Sequence, residues 1–128
     1  MDILLVEDNI SFRQMVKQHL GEQFPLVDIE EAGDGSEALE KVKNSPPKLI
    51  FMDINLPGEL GLSLTERIKS RYSEITIAIL TNYDLPEYRE GAFLSGADYF
   101  FNKSAFPWEM IRELVQTVCL HKPEGPSC

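Results

Sequence analysis

Lys48-Leu49-Ile50-Phe51-Met52-Asp53-Ile54-Asn55-Leu56-Pro57-Gly58 is the stretch whose reading decides how this chain folds. Leu49 to Met52 are consecutive apolar residues, the pattern of a short strand buried on both faces, as in a parallel sheet. Asp53 follows at once, at what would be the carboxyl end of that strand. Open α/β sheets place their ligands outside that end. Asp53 is therefore either a working carboxylate at a crevice or a cap on the following loop, and taken alone it favours the cap.

Working outward, Ile3-Leu4-Leu5-Val6 predicts a second buried strand, closed by Glu7-Asp8-Asn9. Ile10, Met15, Val16 and Leu20 then form a helical stripe, with Asn9 or Asp8 as N-cap. Leu26, Val27, Ile29 and Ala32 alternate only in part, which predicts an edge or half-exposed strand. Gly33-Asp34-Gly35 reads as a turn rather than a phosphate cradle. A short helix from Ser36 carries Leu39 and Val42 and is closed by Asn44-Ser45-Pro46-Pro47.

Beyond the central strand and its Leu56–Gly61 loop, Leu64, Ile68 and Tyr72 recur at helical spacing, with Ser63 as the expected cap. Ile75 to Leu80 is a fourth apolar strand ending in Thr81-Asn82. Pro86 suits the first turn of a helix that Ser95-Gly96 closes. Tyr99-Phe100-Phe101 is a fifth strand ending at Asn102-Lys103. Pro107 begins a last helix, with Trp108, Ile111, Leu114, Val115 and Val118 on one face and Trp108 as packing for it. Five β-α units with right-handed crossovers give an α/β fold: a doubly wound, five-stranded parallel sheet with helices on both faces. The expected domain is 1–120, with 121–128 a tail or the start of a linker.

Composition sets the outer bounds. The 128 residues, 43% hydrophobic and 26% charged, suit one globular domain. A net charge of −9 opposes non-specific nucleic-acid binding and favours a cationic partner or a metal cation. No apolar run approaches membrane-spanning length, and Ile3–Val6 is too short for a signal-peptide core. Cys119 and Cys128 form no disulfide or metal pattern, which predicts a reducing, cytoplasmic setting. His19 and His121 lack partners at metal or catalytic spacing and read as surface residues.

In such a sheet every strand's carboxyl end faces one edge, which collects Glu7, Asp8, Asp53, Thr81 and Lys103. Singly, Glu7 and Asp8 could serve a helix dipole, Thr81 a cap and Lys103 the solvent. Together they are harder to dismiss. Three carboxylates in one crevice raise one another's pKa unless a cation intervenes, and Mg2+ suits such oxygens. A carboxylate nucleophile, a metal, a lysine and a hydroxyl are the parts that phosphoryl transfer to Asp53 requires.

These pieces carry a resemblance. Leu5-Val6-Glu7-Asp8, Met52-Asp53-Ile54-Asn55-Leu56-Pro57 with Gly61, Leu80-Thr81, and Gly96-Ala97-Asp98-Tyr99-Phe100-Phe101-Asn102-Lys103 stand in an order and spacing that resembles the receiver domain of bacterial two-component response regulators over residues 2–120. The resemblance implies a flavodoxin-like, receiver-type fold. It implies that Asp53 accepts a phosphoryl group from a phosphohistidine on a sensor histidine kinase or phosphotransfer protein. Glu7, Asp8 and Asp53 would hold Mg2+ with the Asn55 backbone carbonyl, Lys103 and Thr81 would contact phosphoryl oxygens, and Phe100 would be the switch aromatic that turns inward. The surface formed by the fourth helix, fifth strand and fifth helix would then change shape for a partner. The domain would be no enzyme but a signalling switch that catalyses its own Asp53 phosphorylation and dephosphorylation, with no membrane or direct nucleic-acid contact. Homodimerisation on phosphorylation and a covalently linked DNA-binding output domain are further implied.

The family usually has a cis-bonded proline after its lysine, where this chain has Ser104. A non-proline cis bond costs about 2.5–4 kcal/mol, which leaves the form of this bond open; a trans bond would present Lys103 differently, and Lys103 is expected still to reach Asp53. Asn82 is bulkier than the family's usual small residue, and with Tyr83 and Asn55 it lies near the mouth of the site. Two alternatives share the fold. A mononucleotide binder is disfavoured because Glu7 and Asp8 would repel an unchelated phosphate. A phosphorylation-independent interaction module is disfavoured because Glu7, Asp8, Asp53, Thr81 and Lys103 are all retained.

Overall fold

The computed structural model describes residues 1–120; the expected tail 121–128, with His121 and Cys128, lies outside them. Strands β1 (Ile3–Val6), β2 (Ile29–Ala32), β3 (Leu49–Asp53), β4 (Thr76–Thr81) and β5 (Tyr99–Asn102) alternate with helices. These are α1 (Ile10–Gln23), α2 (Gly35–Asn44), α3 (Gly61–Arg71), α4 (Pro86–Leu94) and α5 (Trp108–Val115). The sheet runs β2-β1-β3-β4-β5 and every pairing is parallel. This is the doubly wound parallel sheet expected from the apolar runs, in the flavodoxin-like form that the resemblance implied.

Strand alternation sorts the core into two layers. Leu4, Val6, Ile50, Met52, Ile77, Ile79 and Phe100 face Ala38 and Val42 of α2, Leu64 and Ile68 of α3, and Ala92 of α4. Ile3, Leu5, Leu49, Phe51, Ala78, Leu80 and Phe101 face Val16 and Leu20 of α1 and Ile111, Leu114 and Val115 of α5. Because β1 and β3 are covered on both faces, their residues can all be apolar. Edge strand β2 buries Ile29 and Ala32 and leaves Glu30 and Glu31 half-exposed. Cys119 is a buried thiol, pushed up to about 11 by burial and by Asp2, against the pull of Lys48.

Several local expectations hold and others need correction. Asn9 caps α1 by accepting the Phe12 N–H at 2.9 Å. The Gly33–Gly35 turn contains the cap of α2, Asp34, whose Oδ1 accepts the Glu37 N–H at 2.8 Å. Ser63 is not a cap: α3 begins two residues earlier, at Gly61, and its N-cap position, Leu60, makes no side-chain hydrogen bond. A tertiary contact sets that start, since the Gly61 N–H bonds Ile54 O at 2.7 Å. The last helix passes into a π-helical turn over Gln116–Leu120, which apolar spacing alone did not reveal. His19 is not a plain surface residue, because its ring lies 3.8 Å from that of Trp108 on α5.

The carboxyl edge as candidate phosphoryl-transfer site

Strand register brings the site together. Val6 pairs with Met52, so the next residues on the two central strands, Glu7 and Asp53, emerge side by side. Asp53 pairs with Leu80, and Thr81 with Asn102, so Thr81 and Lys103 follow within a residue at the same edge. Sheet order reverses between β1 and β3, since β2 lies on one side and β4 on the other. That reversal opens the crevice in which such folds bind ligands.

Oxygens of Glu7, Asp8 and Asp53 all lie within 4.8 Å of one another. Glu7 and Asp53 are buried, at 4% and 7% exposure, whereas Asp8 is exposed. The Glu7 N–H bonds Ala32 O at 3.0 Å, and Glu7 Oε2 accepts the Asn9 N–H at 3.0 Å. Glu7 Oε1 forms an ion pair with Lys103 Nζ but lacks a well-directed hydrogen bond. Lys103 Nζ also stands 3.4 Å from Asp53 Oδ1 and 4.9 Å from the centre of the Phe12 ring.

Burial and charge together weaken Asp53 as an acid. Burial, then the neighbouring Glu7 carboxylate, push its pKa up to about 6; Lys103 and the Asn55 backbone N–H pull against that rise without cancelling it. Three carboxylates facing one ammonium leave two negative charges uncompensated. A half-satisfied buried Glu7 oxygen and an exposed Asp8 complete a hard-oxygen set suited to a small dication. The residues fit the metal expected of the site.

Thr81 is fully buried, and its Oγ1 accepts the Tyr83 N–H at 2.9 Å, leaving its own proton free to donate. Asn55 is exposed beside Asp53, where its backbone bridges to Leu60 across the loop. Gly61 abuts the site from below. A Cβ there would lie 2.0 Å from the Asp53 carbonyl oxygen, so only glycine lets α3 start against the end of β3. Asn82 and Tyr83 are both exposed next to Thr81.

No cis peptide bond occurs among the described residues, so Lys103-Ser104 is trans and the lysine still reaches the edge. Asn102 Oδ1 accepts the Ser104 N–H at 2.8 Å and shapes the turn that proline would otherwise set. Phe100 does not join the pocket. It is already turned inward among α3- and α4-facing side chains, with the Arg89 guanidinium 4.8 Å over its ring. Sequence reasoning missed Arg13, whose guanidinium donates to the Glu7 carbonyl at 2.6 Å. Its signal was present: helical side chains lean towards the N-terminus, so a long cation in the first turn of α1 reaches back to the end of β1.

Residues 3–116 match the family described as response regulator receiver domain. The transcriptional activator protein ExaE of Pseudomonas putida is 34% identical over 118 residues, covering 92% of this chain and 55% of that protein. The oxygen regulatory protein NreC of Staphylococcus carnosus is 34% identical over 119 residues, covering 92% of this chain and 54% of that protein. The chain thus spans about half the length of the curated relatives it matches. The NtrX receiver domain of Brucella abortus superposes with a TM-score of 0.82 at 26% identity, covering 94% of this chain and 100% of that one. The receiver domain of a DNA-binding response regulator from Colwellia psychrerythraea shares the fold, with a TM-score of 0.87 at 23% identity over 94% of this chain and 99% of that one.

Proposed function

The chain belongs to the family of response regulator receiver domains, and from that premise we propose that Asp53 is its phosphoacceptor. The observation that carries the reading is the convergence of Glu7, Asp8 and Asp53 within 4.8 Å, with Lys103 between the two buried members. Asp53 attacks phosphorus, the bond from phosphorus to the donor histidine nitrogen breaks, and that nitrogen leaves with the electron pair and takes up a proton. The donor is a sensor histidine kinase or a phosphotransfer protein.

Glu7, Asp8, Asp53 and the Asn55 carbonyl would hold Mg2+, which when bound offsets the charge of the carboxylates and of the phosphoryl oxygens. Lys103 turns from Glu7 towards the transferred group. Thr81 donates its free hydroxyl proton to another phosphoryl oxygen. The modification adds roughly two negative charges and three strong acceptors, which favour Thr81 drawn inward and Phe100 kept inside. Arg89, lying over Phe100, relays the change to the surface of α4, β5 and α5, where a second copy or an output domain reads it. ExaE is described as a transcriptional activator, which supports a linked DNA-binding output. Among the described residues no helix is long and apolar enough to cross a membrane, and the reading places the domain in the cytoplasm, from 1 to 120.

Incubation with acetyl phosphate and Mg2+, read by intact mass, tests this. One phosphoryl group gained by the wild type and lost in Asp53→Ala is expected. No gain with any donor would favour a phosphorylation-independent interaction module.

A further inference from the structure

Arg13 makes two strong contacts that the phosphoryl chemistry does not use. Its Nη1 donates to the main-chain carbonyl of Glu7 at 2.6 Å, and its Nε donates to Glu31 Oε1 on β2 at 2.8 Å. The side chain is only 17% exposed, and a Cβ on Gly33 would come within 3.3 Å of Nη1. The guanidinium therefore sits in a slot between α1, the end of β1 and the turn after β2. Glu31 is fixed in turn: Lys17 reaches Oε2 at 3.2 Å and Lys41 donates to its carbonyl at 2.5 Å. Burial would raise the Glu31 carboxyl, but the bonds and charges of Arg13 and Lys17 outweigh it and hold the group below its usual range.

We infer that Arg13 is the positioning residue of the acidic edge, its two-pronged guanidinium tying the backbone of Glu7 to β2 and so setting where Glu7 and Asp8 present their carboxylates. Glu7 is held at its N–H by Ala32 and at its carbonyl by Arg13. With both backbone groups fixed, the bend leading into Asp8 has little freedom left. The inference rests on the reading that these carboxylates hold a divalent cation. A lysine substitutes poorly, because its three donors radiate from one nitrogen and lack the planar fork whose Nε and Nη1 reach acceptors on two different strands.

Variants that conserve charge separate positioning from plain electrostatics. If charge alone mattered, Mg2+ binding should stay as in the wild type, whereas loosening the carboxylates should weaken it. Arg13→Lys keeps the charge and removes the fork. Calorimetric Mg2+ titration of the purified chain should show binding about tenfold weaker than wild type, the lower end of losses for residues that orient metal ligands. Gly33→Ala, which crowds the guanidinium without changing any charge, should weaken binding in the same direction and provides the test if Arg13→Lys does not fold. Lys17→Gln, which touches Glu31 but not Glu7, should not weaken it. A folded Arg13→Lys or Gly33→Ala protein with wild-type Mg2+ affinity would overturn the role of Arg13 while leaving the metal site intact. Failure of the wild type itself to bind Mg2+ would overturn the reading of the site and this inference with it.

Discussion

The ammonium of Lys103 leans on Glu7: it contacts Glu7 Oε1 directly and stands 3.4 Å from Asp53 Oδ1. One cation thus bridges two buried carboxylates and offsets part of their mutual repulsion. Breaking a buried pair by removing one partner is expected to cost about 3–5 kcal/mol. Lys103→Met should therefore destabilise the metal-free protein in urea denaturation at neutral pH. The same variant should bind Mg2+ more tightly than wild type, because the ammonium no longer competes for the carboxylates, and calorimetry checks this.

Asp53 carries a pKa raised to about 6 from 3.8, by burial first and then by Glu7. The folded state therefore holds the Asp53 proton more tightly than the unfolded chain does. This favours folding below about pH 4, and the advantage is lost as pH rises through 6. Asp53→Asn removes the ionisation. In metal-free buffer it should stabilise the fold above pH 6 by about 1–2 kcal/mol, after allowance for solvent screening. The difference should vanish below pH 4, and denaturation curves at several pH values decide the matter.

Gly61 and Gly21 make a matched pair. A Cβ at Gly61 would lie 2.0 Å from the Asp53 carbonyl oxygen, whereas at Gly21 nothing lies within 4 Å. Gly61→Ala should cost about 1–3 kcal/mol or more through forced backbone shifts and should slow phosphorylation. Gly21→Ala, within α1, should stabilise by roughly 0.5–1 kcal/mol. Urea midpoints with an unchanged slope would check both.

Thr81 is buried and its hydroxyl accepts the Tyr83 N–H. Thr81→Val keeps the shape and loses that acceptor, which should cost about 1 kcal/mol. Thr81→Ser should keep it. After acetyl phosphate treatment, the amide chemical shifts of α4 and β5 should move in wild type and Thr81→Ser, and much less in Thr81→Val.

What could be read from the sequence divides along physical lines. Strands β1, β3 and β4 are continuous apolar runs because both their faces are covered, so their existence and the residues at their ends were legible. From the ends alone, topology brought Glu7, Asp53, Thr81 and Lys103 to one edge. The side chains' choice of partner was not legible. Arg13 with Glu31, His19 with Trp108 and Arg89 with Phe100 meet across elements whose distance no local pattern records. The start of α3 was misplaced for a similar reason, since Gly61 is fixed by Ile54 and Asp53 rather than by its own helix. The inward Phe100 also belongs here, because periodicity fixes a face and not a rotamer.

A crystal structure of the chain with Mg2+ and beryllofluoride, a stable mimic of a phosphoryl group, tests the convergence of the acidic edge most directly. The account expects beryllofluoride on Asp53, one Mg2+ held among Glu7, Asp8, Asp53 and the Asn55 carbonyl, and Lys103 and Thr81 on fluorine atoms. Beryllofluoride absent from Asp53, or a metal bound away from these carboxylates, would contradict it.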